Sequence, residues 1–283
     1  MSKAEDRIAG YGKLAVFALV AAVAVAGWLS YRLLGGPACE QVEDHVAQEL
    51  DQDHGARALD LADGAPEKCR SRGALRGRRA EALARVGRVE EASGEALQVL
   101  ARDEGNAYAT YALAQCEHAK GDFDGARRHA QAAVERGRGA PAHLLLGVVA
   151  YKQGDYAAAR AAYVRVLEVR SDDVQATYNL ALVDHQLDRY RDAREGYLKV
   201  LRLDPGNLDA RFNLGLLTYR AGATLEARHH LEKLREMAPG DDRVKRLEAA
   251  LSMPPPAPAL IVGAPAASSR AGTAASGASS GAP

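Results

Sequence analysis

Histidine and carboxylate side chains, the residue types that bind metal ions, concentrate in the segment between Cys39 and Lys68. The members of this group are His45, His54, Glu43, Asp44, Glu49, Asp51 and Asp53. Their arrangement lacks the closely spaced ligand pairs that are typical of metal sites, and a solvated helical face accounts for the charges. We therefore predict that this segment holds no metal ion.

Two further histidines, His118 and His185, occupy equivalent places in a repeated pattern and are candidates for acid–base chemistry. The pattern places neither a nucleophile nor a paired carboxylate beside them, as general acid–base or covalent catalysis would need. The short motif Gly10-Tyr11-Gly12 has no preceding strand and no later glycine, so it does not form a phosphate loop. We predict no catalytic residue and no cofactor.

The three cysteines limit the redox chemistry that the chain can perform. Neither a CxxC nor a CxxCH motif occurs, so thioredoxin-like exchange and covalent haem attachment are not indicated. Cys116 falls within a helical pattern, where we expect it to pack as a small apolar residue. Cys39 and Cys69 bracket the acidic segment, and they are a possible disulfide if this part of the chain is exported.

A repeated pattern determines where these side chains lie. Residues 174–207 align without a gap on residues 208–241, which gives a period of 34 residues. Five copies follow one another, of which the second is one residue short: 73–106, 107–139, 140–173, 174–207 and 208–241. The two helical patterns of each copy are joined at a residue suited to the left-handed backbone of a helix end, namely Gly87, Gly121, Gly154, Asp188 or Gly222.

The pattern resembles the tetratricopeptide repeat family, whose signature combines Leu-Gly in the first helix with a later Ala, an aromatic residue and a closing Pro. The third copy reads LLLGVVAYKQGDYAAARAAYVRVLE and the fifth reads FNLGLLTYRAGATLEARHHLEKL. The resemblance covers about 60% of the chain, from Gly73 to Asp241. It implies stacked helix pairs that present one concave and one convex surface.

Small residues at two places in each copy let the paired helices approach closely. They include Ala114, Gly147, Ala181 and Gly215 in the first helices and Ala126, Ala159, Ala193 and Ala227 in the second helices. Between them, Leu113, Leu146, Leu180 and Leu214 fill the remaining space. We predict an all-α fold, an α-solenoid of about five tetratricopeptide helix pairs plus a C-terminal capping helix, preceded by one transmembrane helix.

An uncharged stretch from Leu14 to Tyr31, flanked by Lys13 and Arg32, predicts a membrane-spanning helix within residues 14–34. Its 18 residues would span about 27 Å at a rise of 1.5 Å per residue, close to the thickness of a bilayer core. More basic residues lie in the segment 1–13 than directly after the stretch. The positive-inside rule therefore favours a cytoplasmic amino terminus and extracytoplasmic repeats, as for a bacterial inner membrane protein that faces the periplasm.

Two other interpretations of the amino terminus stay open. The stretch could be a signal peptide that is cleaved near Ala24-Val25-Ala26, although the apolar run continues through Leu34. A lipoprotein would carry its lipid on Cys39, although the preceding Gly36-Pro37-Ala38 departs from the usual sequence.

The segments that flank the repeats have distinct compositions. Residues 35–72 form an acidic linker or a degenerate helix pair, and the basic run from Glu67 to Arg88 could contact anionic lipid, an acidic partner or only solvent. Arg79 stands where the other copies have Leu, which leaves the helix boundaries of the first copy open. We predict a capping helix at 242–252 and a disordered tail of Pro, Ala, Ser and Gly at 253–283.

One face of each first helix is expected to line the concave groove, because six positions of the copy fall on one stripe by helical periodicity. This predicted groove stripe comprises Tyr108, Tyr111, Gln115, His118, Leu144, Val148, Tyr151, Lys152, Tyr178, Asn179, Leu182, His185, Phe212, Asn213, Leu216, Tyr219 and Arg220. Exposed aromatic side chains give a large contact area for a peptide. In related arrays, asparagines at the position of Asn179 and Asn213 hydrogen-bond an extended peptide backbone.

The formal net charge of zero argues against general nucleic-acid binding, and nothing in the sequence indicates a small-molecule substrate. The predicted function is a membrane-anchored scaffold or assembly factor that binds a protein or peptide partner in its concave groove. Its architecture resembles that of membrane-anchored bacterial assembly factors. A structural subunit of an envelope machine for pilus assembly, motility or secretion is the alternative, and an enzyme is a further one.

Overall fold

A computed structural model describes residues 36–254, which divide into two compact units, 36–187 and 188–254. All regular elements of this described part are helices. The first unit contains α1 (Gly36–Asp51), α2 (Gly55–Asp63), α3 (Glu67–Arg70), α4 (Gly73–Arg85), α5 (Val89–Leu100), α6 (Ala107–Lys120), α7 (Phe123–Ala133), a π-helical segment (Val134–Arg138), α8 (Gly139–Lys152), α9 (Tyr156–Val169) and α10 (Val174–Gln186). The second contains α11 (Tyr190–Leu203), α12 (Leu208–Arg220), α13 (Thr224–Met237) and α14 (Asp242–Ser252).

The amino-terminal part of the first unit is a helix pair, α1 and α2, packed on the first helix of the first copy. A disulfide joins Cys39 in α1 to Cys69 in α3, with 5.3 Å between their Cα atoms. Both cysteines are fully buried together with Val46 and Leu50 of α1. The acidic segment therefore forms an ordered layer at the start of the array.

The joints within the copies have the predicted backbone. Gly87, Gly121, Gly154, Asp188 and Gly222 all have positive φ, between 58° and 81°. Between copies, the helices α6, α10, α12 and α14 begin after Asn106, Asp173, Asn207 and Asp241, whose side chains accept a backbone N–H of the first turn. These caps satisfy backbone donors that have no partner inside the helix.

The junction between the second and third copies departs from this rule. The second copy is one residue short, and its second helix runs on into the π-helical segment, where Gly137 has a φ of 96°. Arg138 occupies the place of the capping residue and makes no side-chain cap to α8. Its side chain is instead buried, with 6% exposed.

Two of the glycines in the first helices lie where an added Cβ would meet a side chain of another helix. A Cβ at Gly147 in α8 would overlap the ring of Tyr163 in α9. A Cβ at Gly215 in α12 would lie 2.8 Å from Cδ2 of Leu247 in α14. Helix packing at these two places depends on the missing side chain.

The second unit is closed by α14, which packs on both α12 and α13. Val244 and Leu247 of α14 are buried with Phe212 of α12, and the Tyr219 hydroxyl donates to the carbonyl oxygen of Met253 at 2.7 Å. Phe212 and Tyr219 are only 6% and 5% exposed, so the expectation that these two groove aromatics face solvent is wrong. The reason is that the capping helix covers this face of α12.

The predicted membrane-spanning helix at 14–34 and most of the predicted tail at 253–283 lie outside the described residues. Within residues 36–254, no helix combines the length and the apolar character that crossing a bilayer requires.

Candidate functional site

A buried ion cluster lies at the centre of the first unit. The carboxylate of Glu81 in α4 is fully buried and accepts two hydrogen bonds from Arg138, each of 2.8 Å. Arg85, one turn later in α4, also donates to Glu81 at 2.9 Å. A buried charge is costly unless it is paired and hydrogen-bonded. Glu81 is both, because Arg85 and Arg138 are cations that donate hydrogen bonds to it.

Both arginines stay charged despite their burial. Burial alone would favour the neutral form of Arg138, but the charge of Glu81 and hydrogen bonds to Glu81 and Asp51 outweigh it and raise the pKa of Arg138. The same balance, with Glu81 as the main opposing charge, raises the pKa of Arg85. Arg85 and Arg138 are therefore charged at any physiological pH.

The last residue of α1 and the two residues after it, 51–53 and here together called the acidic turn, add two more carboxylates to this cluster. Asp51 Oδ1 lies 2.9 Å from Arg138 Nη1 and 3.5 Å from Arg170 Nη2, and Asp53 pairs with Arg85. These arginines belong to the first copy, the junction after the second copy and the end of the third copy. The acidic turn thus contacts three successive copies.

Aromatic rings of the predicted groove stripe surround the same arginines. The guanidinium of Arg138 lies 4.7 Å from the ring centre of Tyr108 and 5.6 Å from that of Tyr111. Arg78 lies over Tyr108 from another direction at 4.5 Å. The expectation that Tyr111 is an exposed groove aromatic is wrong, since only 5% of it is exposed. Cations of the same chain cover these rings and interact with their π faces.

The basic run from Glu67 to Arg88 is largely neutralised within the first unit. Arg72 pairs with Glu43 at 2.7 Å, Arg76 with Glu95 at 3.2 Å, and Arg79 with Asp63 at 2.5 Å and also with Glu95. Arg79 thus replaces the leucine of the other copies because it lies between carboxylates of α2 and α5. The acidic and basic segments of the sequence form one set of ion pairs.

Beside the acidic turn, the first unit contains a cavity of about 620 Å³. Its apolar surface includes Leu144, Leu145 and Val148 of α8 and Val166 of α9, and its polar surface includes Gln115 and His118 of α6. At the rim lie Asp51, Asp53, Arg85, Arg170 and Asp173. A mixed surface of this kind, mostly apolar with a few polar groups, is typical of ligand-binding clefts.

Two polar side chains that line the cavity, Gln115 and His118, are uncharged. The Gln115 Oε1 atom is buried and has no hydrogen-bond partner among the described residues, so an acceptor is left over. Burial and the positive charge of Lys152 lower the pKa of His118, whose ring is therefore neutral at pH 7. The cavity thus offers neutral hydrogen-bonding groups above an apolar surface.

The structure brings some residues of the predicted groove stripe together and separates others. Those that line the cavity are Tyr111, Gln115, His118, Leu144 and Val148. Elsewhere in the first unit, Tyr151 packs on Tyr156 with 5.5 Å between ring centres, Lys152 is exposed, and Tyr178, Asn179, Leu182 and His185 of α10 are half-buried. Phe212, Asn213, Leu216, Tyr219 and Arg220 belong to the second unit. The contact of any of these residues with a peptide stays a prediction.

The central residues of this site, Glu81, Arg85 and Arg138, are not among those selected from the sequence. Two sequence signals do point to Arg138. The second copy is one residue short, and an arginine stands where the next helices are capped by Asn or Asp. No sequence signal pairs it with Glu81, which is 57 positions away.

No group of three or more potential metal ligands comes together within residues 36–254. That the protein has no metal ion, no cofactor and no catalytic role stays a prediction from the sequence.

Similar structures place the fold among known repeat proteins. No curated protein sequence matches the chain. YrrB, described as a tetratricopeptide repeat protein with an unusual peptide-binding site, aligns over 64% of this chain and 93% of its own, with a TM-score of 0.54 and 20% identity. PilF of Pseudomonas aeruginosa aligns over 75% of this chain and 97% of its own, with a TM-score of 0.61 and 16% identity.

MamA of Desulfovibrio magneticus aligns over 60% of this chain and 97% of its own, with a TM-score of 0.54 and 20% identity. At this level of identity, the three similarities establish the fold alone.

Family models described as tetratricopeptide repeat match residues 78–141, 144–207 and 189–251. The matches together extend over more than half of the chain and agree with the helix pairs, the left-handed joints and the small residues at the helix contacts. The chain therefore belongs to the tetratricopeptide repeat family.

Proposed function

We propose that this protein is a scaffold or assembly factor that binds an extended polypeptide of a partner protein in the cavity of its first unit. The observation that carries the proposal is the cavity itself, whose largely apolar surface also includes the polar side chains of Gln115 and His118. A polypeptide supplies what this surface lacks, namely backbone N–H donors and apolar side chains. Proteins of this fold are generally interaction modules rather than enzymes.

The cavity has the size for a short stretch of polypeptide. At about 620 Å³ it lies within the range of clefts that bury most of a ligand of several residues. Leu144 and Val148 are spaced one helical turn apart on α8, so two apolar side chains of a partner can contact them in succession. Peptide binding by YrrB supports the analogy, although this similarity concerns the fold.

A membrane anchor and export of the repeats complete the proposal. The support is the apolar stretch from Leu14 to Tyr31 with its flanking charges. Reporter fusions after Leu251 test the orientation. Alkaline phosphatase is expected to be active there and β-galactosidase inactive, and the reverse result would place the repeats in the cytoplasm.

Site-specific photocrosslinking tests the binding site. A photoreactive amino acid at Leu144, inside the cavity, is expected to crosslink the partner in cells, whereas the same residue at Leu97 is not. Leu97 is a matched control because it is also a leucine of a repeat helix, is 58% exposed and does not line the cavity. Equal crosslinking at both positions, or crosslinking at Leu97 alone, would contradict binding in the cavity.

A substitution of Gln115 separates binding from folding. Gln115→Leu removes the buried acceptor and leaves the helix and its packing intact, so the yield of the Leu144 crosslink should fall severalfold with unchanged helicity. An unchanged yield would show that the amide does not contact the partner.

A further inference from the structure

The acidic turn lines part of the cavity. Its two carboxylates contact Arg85, Arg138 and Arg170, which come from three different copies of the repeat. Leu50, directly before the turn, is fully buried and also lines the cavity. A segment of this chain with the order apolar, acidic, polar, acidic therefore lies where the proposed function places a partner.

The contacts of the acidic turn are of a kind that a ligand can replace. The side chains of Asp51 and Asp53 are 44% and 82% exposed. Each carboxylate is thus open to water on one side, although the arginine it pairs with, Arg138 or Arg85, is largely buried. Asp53 also has a positive φ of 64°, which is an unusual backbone for a residue other than glycine.

Departure of the turn would leave no buried charge without a partner. Glu81 is paired with both Arg85 and Arg138 whether or not the turn is present. Arg170 is 34% exposed and keeps access to water. Glu81 thus keeps its hydrogen bonds when the turn leaves, whereas Arg85 and Arg138 each lose one carboxylate, which an acidic ligand would replace.

The charges decide which partner fits. With the turn in place, the lining of the cavity carries Asp51, Asp53 and Asp173 against Arg85 and Arg170. Removal of the turn takes away two negative charges and exposes the outward faces of three arginines. Asp173 is engaged in capping α10 through the N–H of Ala176. The surface beneath the turn is therefore complementary to carboxylates.

We propose that the acidic turn is an internal competitor, and that the polypeptide which displaces it is acidic and carries an apolar side chain next to its carboxylates. This inference rests on the proposed function, because it specifies the chemistry of the polypeptide that binds in the cavity. The partner segment takes over the contacts of Asp51 and Asp53 with the three arginines. Its apolar side chain then fills the empty volume beside Leu144 and Val148.

A peptide copied from the chain itself is the probe. The fluorescent peptide VAQELDQDHG, residues 46–55, has the proposed chemistry, and its control has Asn in place of the two Asp residues. Titrations use the full chain, the variant Asp51→Asn/Asp53→Asn, and the variant Asp44→Asn/Asp60→Asn. The last is a matched control, since Asp44 and Asp60 are exposed aspartates of the same helix pair and the charge change is equal.

The acidic peptide is expected to bind Asp51→Asn/Asp53→Asn at least tenfold more tightly than the parent chain or the control variant, because a tethered competitor acts at an effective concentration of about millimolar. Adding Arg170→Ala to the first variant should remove most of this gain. Circular dichroism checks that all variants keep the parent helicity. Equal affinity for all chains, no binding to any of them, or equal binding of the Asn peptide would overturn the inference.

Failure of the inference and failure of the proposed function have different readouts. If the Leu144 crosslink to the cellular partner persists while the peptide shows no preference for Asp51→Asn/Asp53→Asn, the partner binds in the cavity and the turn does not compete with it. Tighter binding of a lysine-rich peptide to the parent chain than to that variant would instead assign the carboxylates to a basic partner, which contradicts the inference.

Discussion

The two units bury an ionisable side chain in opposite ways. In the first unit, the fully buried Glu81 accepts hydrogen bonds from Arg85 and Arg138. In the second, His230 is 7% exposed, and neither of its ring nitrogens has a hydrogen-bond partner in the described part of the chain. The carboxylate of Glu226 lies 3.9 Å from its Nε2 atom, beyond hydrogen-bond distance.

The comparison shows in which ionisation state each unit buries a titratable side chain. The first unit keeps a full charge because two cations neutralise it, Arg85 from the same helix and Arg138 from the next copy. The second unit keeps a titratable group only in its neutral form, because burial lowers the pKa of His230 more than the charge of Glu226 raises it. The stability of the second unit is thus expected to depend on pH near neutrality.

The largest effect is expected when the charge balance in the first unit is broken. Glu81→Gln leaves Arg85 and Arg138 buried without their common counter-charge, so the free energy of unfolding should fall by about 3–5 kcal/mol. Chemical denaturation followed by helicity measures it. Glu91→Gln is the matched control, because Glu91 pairs with Arg88 at an exposed site, and its loss should leave the stability nearly unchanged. Equal losses for both variants would show that Glu81 is not the centre of the cluster.

Reduction of the disulfide, which lies in the first unit, should lower the free energy of unfolding by a slightly smaller amount. Cys39 and Cys69 are 30 positions apart, and a cross-link closing a loop of that length contributes about 3–4 kcal/mol in the chain-entropy model. Hydrogen exchange after reduction should rise in α1 to α4 and stay unchanged in α12 to α14. Thiol labelling of unreduced, denatured protein should modify Cys116 alone, and labelling of all three cysteines would contradict the bond.

Replacing the unpartnered histidine of the second unit should stabilise it. His230→Leu removes a buried polar group without hydrogen bonds, and we expect a gain of about 1–2 kcal/mol at pH 7. Hydrogen exchange in α13 measures the change locally. His229→Leu is the control, since this neighbouring ring is exposed and its loss should not slow exchange. Faster exchange in His230→Leu would mean that the ring makes a needed contact.

The pH dependence of the same variant has a defined sign. The pKa of His230 is lowered in the folded state, so the unfolded chain binds the extra proton first as the pH falls below about 6.5. Stability of the second unit should therefore be complete above that pH and decline below it, through the folded-state pKa. His230→Leu should abolish the decline, and an unaltered decline would assign it to other groups.

The smallest effect concerns a helix cap. Asp173→Ala removes the acceptor for the N–H of Ala176 and should cost about 1 kcal/mol. Asp172→Ala, one residue earlier and exposed, should cost less than about 0.5 kcal/mol. A loss at Asp173 as large as that at Glu81 would show that capping, and not burial of charge, dominates the first unit.

Local features of the fold could be predicted from the sequence. The left-handed joints from Gly87 to Gly222 and the stripe of Val244 and Leu247 on the capping helix repeat at fixed spacings, and neighbouring residues determine them. The helix pair before the repeats follows from the spacing of Val46 and Leu50 in the same way.

Features that depend on contacts between distant parts of the chain could not be predicted from the sequence. Glu81 and Arg138 are 57 positions apart, and no periodicity links them. The burial of Phe212 follows from closure by α14, whereas helical periodicity alone places its side chain on the groove stripe. Arg79 interrupts the leucine pattern because carboxylates of α2 and α5 surround it. In each case tertiary contacts outweigh a local rule.

The glycine contacts determine which parts of the chain can be exchanged by recombination. Gly147 and the ring that its missing Cβ accommodates, Tyr163, lie in the same copy, but Tyr163 also packs with Val183 of the fourth copy. Gly215 has its complement, Leu247, outside its copy. A transplanted fifth copy would therefore have to bring α14 with it, and a transplanted third copy would need a following copy with an apolar residue at the place of Val183.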